Sequence, residues 1–302
     1  MIKTFGEVNR LLTDKISTNE SFCLMRIDNT AGYVMDCVYN GTVPVNEFYN
    51  EYTLVEGGVY PHDLNYGLTV VQPKTMEIMF DADILGFVDI SDVLRTNSVF
   101  AKQYFNRPVF FKNTCEVLDP VALLKHYRIS GELPWTSVLK DKKVLVISSH
   151  SETIKYQWDK IDKIWGEDKD LIVPFELVDA IRTPYSPVWD DRQYDNCKNW
   201  EELIEITKQI IDQYDYDVLL SGVTTQSPFY VSHAKHQGKI GIQTGGTIQL
   251  FFGIKGSRWL YNSYYDEWIN RAKNPYWIFP LDVDKPKFQK EYSHLESSFA
   301  YW

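Results

Sequence analysis

The chain is predicted to fold as a doubly wound α/β protein with a Rossmann-like parallel sheet, and three observations carry that expectation. First, short β-branched runs recur at Lys143 to Ile147, Asp217 to Gly222 and Lys239 to Gln243. Each reads as a short buried strand. Second, helical patterns separate them. A helical stretch follows Ser148 to Glu152 and runs through Trp165. Trp200, Leu203, Ile204, Thr207, Ile210, Ile211 and Tyr214 recur at spacings of three and four, which makes Asn199 to Tyr214 an amphipathic helix. A further helix from about Ser227 to Gln237 stops at Gly238, a residue suited to a left-handed cap. Third, every strand runs into a turn rich in Gly, Ser or Thr: Ser148 to Glu152, Gly222 to Gln226 and Gln243 to Thr247. Strand–helix alternation of this kind indicates βαβ units. In such sheets a ligand lies beyond the carboxyl ends of the strands, where N–H groups at helix starts can cradle an anion. The same residue types also serve ordinary βα turns and N-caps, so each loop alone has a purely structural explanation.

Upstream, the texture is looser. Phe22 to Ile27 reads as a buried strand ending at Arg26-Ile-Asp-Asn-Thr-Ala-Gly32, and Glu77 to Leu85 reads as a helix end running into a strand. The segment Asn40 to Tyr66, punctuated by Gly41, Pro44, Gly57, Gly58 and Pro61, reads as long loops. The expected organisation is an amino-terminal α/β part over residues 1–130 and a nucleotide-binding part over 131–302, or one continuous domain across both.

Composition removes several classes of function. With 31 Lys and Arg against 41 Asp and Glu, the formal charge is -10, and no basic block is present, so a nucleic-acid polymer is not an expected partner. No apolar run approaches the roughly 20 residues that span a bilayer, and Met1 to Arg10 lack the apolar core of a secretory leader. Cys23, Cys37, Cys115 and Cys197 are scattered without a CxxC pair, which reads as reduced thiols in a cytoplasmic protein. The aromatic share of 15% is high enough to ask whether some rings serve sugars, with Tyr49, Tyr52, Tyr60 and the stretch from Trp259 to Trp277 as candidates and most of the rest as core.

No phosphate-loop, complete GxGxxG, HExxH or GxSxG pattern occurs. The candidate residues are therefore individual ones. His150, Ser151 and Glu152 share the first strand-end loop, where a carboxylate and an imidazole could act as base and orienting group; capping and helix-dipole roles for Ser151 and Glu152 explain them equally well. Arg26 beside Asp28 ends an apolar run, and a guanidinium there is costly unless it meets a carboxylate or a phosphate. Gly222, Thr224 and Thr225 make the second loop. Gly245-Gly-Thr-Ile-Gln-Leu-Phe-Phe-Gly-Ile-Lys-Gly-Ser-Arg-Trp259 is the most distinctive segment: Gly245 and Gly246 form a turn, Gln249 could read a base or sugar edge, Lys255 and Arg258 could meet a diphosphate, and Trp259 offers a ring face. Leu250, Phe251, Phe252 and Ile254 within it are core. Asp81 and Asp83 form a DxD, a pattern common by chance, and His233 with His236 stand one turn apart on a helix of ordinary surface residues.

Gly245 to Trp259, together with Pro134 to Ile147, His150 to Ile154, Arg26 to Gly32, Ala82 to Gly86 and Tyr301-Trp302, resembles the GT-D-like glycosyltransferase family of bacterial and viral polysaccharide loci. The resemblance implies a nucleotide-sugar-dependent transferase with a GT-D-like architecture. It also implies an acidic pair in an Arg-Ile-Gly-Asp-Gly-Glu region. Here Arg26 matches, but the acidic positions fall on Asn29 and Ala31 and Asp28 replaces a glycine. The metal-binding pair is not intact, which argues against a divalent-cation mechanism, and no metal or other cofactor is expected. The GCGAYG turn of the family corresponds to Ser221 to Gln226, where Gly222 alone is kept.

The expected function is transfer of a sugar from a nucleotide-diphosphate donor to a glycan acceptor. Arg26, Lys255 and Arg258 would meet the diphosphate; Asn29, His150, Ser151, Gly222, Thr224, Thr225, Gly245, Gly246, Gln249 and Trp259 would complete the donor site. Glu152 or Asp28 would be the base. The alternatives are a non-catalytic glycan- or nucleotide-binding protein, and a different sugar-nucleotide-dependent enzyme that moves pyruvyl or phosphoryl groups.

Overall fold

The computed structural model describes residues 2–27, 29–42, 59, 63–87, 110–112, 114–183, 197–256, 271 and 273–285. Its frame is a sheet of eight strands: β1 (Ile2–Lys3), β2 (Phe22–Ile27), β3 (Ile84–Phe87), β4 (Phe110–Lys112), β5 (Lys143–Ser148), β6 (Glu176–Arg182), β7 (Val218–Ser221) and β8 (Ile240–Gln243). Their order is β1-β4-β3-β2-β8-β7-β5-β6, and every neighbouring pair is parallel. The fold is thus α/β, doubly wound on a parallel sheet. Strands from both sides of residue 130 join in it, because β2 pairs with β8 from Phe22–Ile240 to Leu24–Ile242.

Parallel strands buried on both faces need apolar side chains at successive positions. Val144, Leu145, Val146 and Ile147 of β5 are all fully buried, as are Val218, Leu219 and Leu220 of β7. Alternation sends them to opposite faces. Val144 and Val146 join the core under α1 (Phe5–Ser17), whereas Leu145 and Ile147 join the core around Trp200 and Tyr230. Each such side chain contributes about 1.5–3 kcal/mol on burial.

The first face carries α1, and further along the chain α5 (Ser151–Trp158) and α6 (Ile161–Trp165) between β5 and β6. The second carries α2 (Asn29–Tyr39) and α3 (Gln72–Ile78) between β2 and β3. It also carries α7 (Trp200–Ile211) between β6 and β7, and α8 (Ser227–His236) between β7 and β8. Connections that step in opposite directions along the sheet lie on opposite faces, as crossovers of one hand require. A last helix on the first face before β5, α4 (Pro120–Ser130), is capped by Asp119 and closed by Gly131 in the left-handed region.

Most expected elements lie where the spacing put them. Asn199 accepts the N–H of Glu202 as the N-cap of α7, and Gly238, φ +76°, ends α8. Strand β6 was not foreseen. It is an edge strand whose apolar run is broken by Asp179, and that carboxylate takes the Tyr214 hydroxyl at 2.7 Å and Lys155 at 3.1 Å. Helix α1 was also missed, although Thr4 and Glu7 form a capping box and Val8, Leu12 and Ile16 make its buried stripe. Cys23, Cys37 and Cys197 are buried free thiols, and burial pushes the Cys23 thiol up to about 12.

Helix α8 lies almost flush on β8. A Cβ at Gly241 would stand 2.3 Å from the Val231 carbonyl oxygen and 2.6 Å from its Cα. Backbone cannot give way as a flexible side chain can, so Gly241→Ala should cost about 3 kcal/mol, read as a lower urea midpoint with an unchanged slope.

Candidate functional site

All carboxyl ends of the strands share one edge, and the strand order reverses there twice. β5 leads outward to β6 while β7 lies on its other side; β2 leads outward to β3 while β8 lies on its other side. Such reversals open crevices between diverging loops. The loops at these two crevices are the ones the sequence singles out, and the structure brings several of their residues into contact.

The crevice between β2 and β8 is built around Arg26. Its backbone N–H donates to Gln243 Oε1 at 3.0 Å, and its half-buried guanidinium donates through Nη1 to the Thr244 carbonyl at 3.3 Å. No carboxylate among the described residues pairs with it. Gly245, φ +61°, lets the turn pass the guanidinium; a Cβ there would stand 2.3 Å from Nη1. Gly222 belongs to the same seam, because a Cβ on it would meet Ile248 Cγ2 at 2.4 Å and the Gly245 carbonyl at 2.9 Å. The turn itself is held by Thr244, whose N–H and Oγ1 both donate to the Ser221 carbonyl, at 2.8 and 3.0 Å.

Much of the polarity in these loops is spent internally. The Val223 N–H donates to Ser227 Oγ at 2.9 Å, Tyr230 donates to Gln226 Oε1 at 2.9 Å, and Trp200 donates through Nε1 to Thr225 Oγ1 at 3.3 Å. Gln249 is buried, in the short helix α9 (Ile248–Phe251). Thr224 and Gly246 are half-buried.

The β5 loop differs from its expected form. The start of α5 was read as an open anion cradle, but Asp284 takes it. That carboxylate, buried to 1% exposure, accepts from the N–H of Glu152 at 3.3 Å, the N–H of Thr153 at 2.6 Å and the hydroxyl of Thr153 at 2.6 Å. Unpaired N–H groups and the positive end of a helix attract an anion, and the chain supplies its own from the segment 273–285. Ser151 beside them is buried, and its Oγ has no partner among the described residues.

His150 is fully buried. Burial, and then the charge of Arg182, lower its imidazole from the ordinary 6.5 to about 3, so it is neutral at physiological pH. Glu152 is exposed and faces the other way: its carboxylate pairs with Lys155 at 3.2 Å, which also meets Asp179 of the edge strand. Lys255 lies along the segment 273–285, its N–H on the Ile278 carbonyl at 2.7 Å and its ammonium 5.9 Å from the Phe279 ring centroid. Asn29 opens α2. Asp28, Arg258 and Trp259 lie outside the described residues, as do Tyr49, Tyr52 and Tyr60.

No family model matches the chain, and neither does any curated protein. Among solved structures, the chain is similar to a protein of Streptococcus sanguinis described as a new glycosyltransferase (DUF1792). The likeness covers 94% of this chain and 95% of that one, at 12% identity and a TM-score of 0.48.

The DxD pair belongs to the opposite edge. Asp83 sits just before β3 and accepts the Cys23 N–H at 2.9 Å, and both carboxylates meet Lys235 of α8, at 3.3 and 3.1 Å. Although burial works against it, bonds from Ser232 and Lys235 hold the Asp81 carboxyl below its usual range. His236 pairs with Asp81 and His233 with Asp212. No group of three or more potential metal ligands occurs among the described residues.

Two residues toward the carboxyl edge were not foreseen. Arg182 ends β6 and donates through Nη1 to the Val283 carbonyl at 3.1 Å; a cation closing an apolar run, as at Arg26, was the available signal. Gln72, at the start of α3, is buried to 2% exposure, and an isolated Gln before Pro73 gave no signal at all.

The His150 imidazole sets a pH dependence. Its folded value is depressed below the unfolded one, so the unfolded state binds the extra proton between about 3 and 6.5. The contribution to stability is full above pH 6.5 and is lost as the pH falls toward 3. His150→Gln should remove about 2 kcal/mol of the stability difference between pH 7 and pH 4.5, measured as urea midpoints at both values.

Proposed function

We propose that the carboxyl edge of the sheet binds a nucleotide-diphosphate sugar and that the protein transfers the sugar to a glycan hydroxyl. The observation that carries this reading is Arg26: a half-buried guanidinium at a strand-order reversal, with a backbone carbonyl as partner and no carboxylate beside it among the described residues. Such a cation is expensive to bury without an anion, and the planar guanidinium fits phosphate oxygens. The resemblance of Gly245 to Trp259 to the GT-D-like family supports the same reading.

In the transfer, the bond from the anomeric carbon to the diphosphate oxygen breaks while the acceptor oxygen bonds to that carbon. Negative charge develops on the leaving diphosphate. Arg26 would stabilise it there, with Lys255 and Arg258 as further cations, because fixed positive groups are most effective where charge appears in the transition state. The acceptor hydroxyl loses its proton to a base, for which the candidates are Asp28, two residues beyond Arg26, and Glu152, which would first have to leave Lys155. Neither Asn29 nor Ala31 is a carboxylate, so the acidic pair that the resemblance implies for a divalent cation is not present. The proposed transfer therefore depends on these fixed cations.

Binding without turnover is a second reading, favoured by the position of Glu152, whose carboxylate is paired with Lys155. The two differ in whether purified protein, given donor and acceptor, releases the nucleotide diphosphate.

Thermal-shift measurements across UDP-, GDP-, CMP- and dTDP-sugars test the donor class, since a ligand of the folded state raises the melting temperature. Arg26→Ala should weaken the best donor by about 10- to 100-fold, the worth of a charge-assisted hydrogen bond. Undiminished affinity in that variant would show that the guanidinium does not meet the diphosphate.

A further inference from the structure

We infer that Gln72 is a specificity residue of the same site, accepting a hydrogen bond from the nucleoside part of the ligand. This rests on the reading of the carboxyl edge as a nucleotide site.

Leu64–Tyr66, the π-helical turn Gly67–Val71 and α3 form one helical run toward β3. Pro73 in that run has no N–H to give and its ring crowds the carbonyl four residues back, so a regular α-helix cannot pass through it. The chain widens instead: the Gln72 N–H donates to the Gly67 carbonyl, the five-residue step of a π-turn. The backbone of Gln72 is thereby fixed and its side chain is turned inward, buried to 2% exposure. Its Oε1 is shielded from water and accepts no hydrogen bond among the described residues.

Helix geometry locates that oxygen. Residues four apart share a face, so Gln72 stands one turn from Met76. Met76 packs against the cluster that holds Met25, Ile27 and Val231, and Ile27 is the last residue of β2, next to Arg26. Because α3 descends toward the start of β3, the turn from Met76 back to Gln72 climbs toward the carboxyl edge. Val71, its neighbour, belongs to the cluster that includes Ile147, Ile181 and Val223 at the ends of β5, β6 and β7. Gln72 is therefore a buried acceptor on the second face of the sheet, between the cluster under β5 and β7 and the cluster under β2 and β3.

A buried carboxamide oxygen left unpaired is destabilising, and a side chain of similar volume without polar atoms removes that cost. Gln72→Leu is thus expected to raise the melting temperature of the free protein by a few degrees. Met at this position, as a second variant, covers the case in which branching is not accommodated. A nucleoside diphosphate supplies N–H groups on its base and O–H groups on its ribose as donors to Oε1.

The experiment compares wild type, Gln72→Leu and Gln72→Met by thermal shift with UDP, GDP, dTDP and inorganic pyrophosphate. The expected result is that the nucleotide that stabilises the wild type binds the variants at least about tenfold more weakly, the worth of one hydrogen bond to a buried group. Pyrophosphate should bind all three proteins alike. Repeating the measurement on the wild type with forms of that nucleotide lacking the 2′-OH and lacking the 3′-OH separates the sources: a matching loss with either assigns the donor to the sugar, and no loss with both assigns it to the base. Wild-type affinity retained in both variants overturns the role of Gln72 and leaves the proposed function standing. Melting temperatures lowered in both variants without ligand make the amide structural and also overturn it. A wild type that responds to no nucleotide overturns the proposed function, and this assignment with it.

Discussion

The structure depends on the close contact of three backbones at the seam where β7, β8 and β2 lie side by side. Gly241 lets α8 rest on β8 with no side chain between them, and Gly222 lets the β7 loop touch Ile248 and the Gly245 carbonyl. Gly245, in the left-handed region, lets the following turn pass the Arg26 guanidinium. Interiors are packed to the density of organic crystals, so an extra carbon at such contacts has no free space to enter. The consequence is more than stability. The seam is where the amino-terminal strands meet the carboxyl-terminal ones, and it holds the cation at a fixed depth beside the second strand-order reversal. Packing and the proposed chemistry thus share the same few residues, and the glycines of the loops are explained by contact before any ligand is invoked.

Polar loops at a sheet edge have to satisfy their own donors and acceptors whether or not a ligand is present. Here Ser221, Ser227, Gln226 and Thr225 do so with one another and with the rings of Tyr230 and Trp200. Asp284 does so for the first N–H groups of α5. What remains after this accounting, among the described residues, is a guanidinium without a carboxylate and buried oxygens on Gln72, Ser151 and Gln157 without a donor. Arg26 and Ser151 stand at the carboxyl ends of β2 and β5, whereas Gln157 lies in the last turn of α5, away from that edge. The formal charge of -10 works against a polyanion overall, yet Arg26 and Arg182 put cations at the strand ends. An overall charge acts over a Debye length, whereas a half-buried guanidinium acts on the atoms it touches.

The fold was legible because strands buried on both faces must be continuous apolar runs, and β5, β7 and β8 are such runs between amphipathic helices. β6 was not, since an edge strand can carry Asp179 and Glu176 toward solvent and so breaks the run. The three polar loops were located correctly along the chain, because turn chemistry is local. Which of their groups are spent was not legible. That outcome turns on contacts such as Asp284 with Thr153, 131 residues apart, and on Gly222 meeting Ile248, neither of which leaves a mark in spacing. Gln72 was invisible for a related reason: a single polar residue in a mixed helix acquires meaning only when the π-turn imposed by Pro73 fixes its direction.

The segment 273–285 fastens the chain after α9 to α5. Its backbone pairs Ile278 with Gly253 and Lys255, and Gln157 of α5 donates to the carbonyls of Phe252, Gly253 and Tyr276. Higher up, Leu281 donates to Thr153 and Asp284 caps α5. One segment therefore fixes α5 at both ends, and with it the depth at which His150 and Ser151 sit. A neutral, fully buried imidazole is tolerated there because nothing in the folded state needs its charge, and because α5 cannot lift to let water in without breaking the bonds to Asp284. The burial that makes His150 a weak proton acceptor is thus the same packing that holds the β5 loop in place. In the proposed transfer, that burial argues against His150 and for a carboxylate as the base.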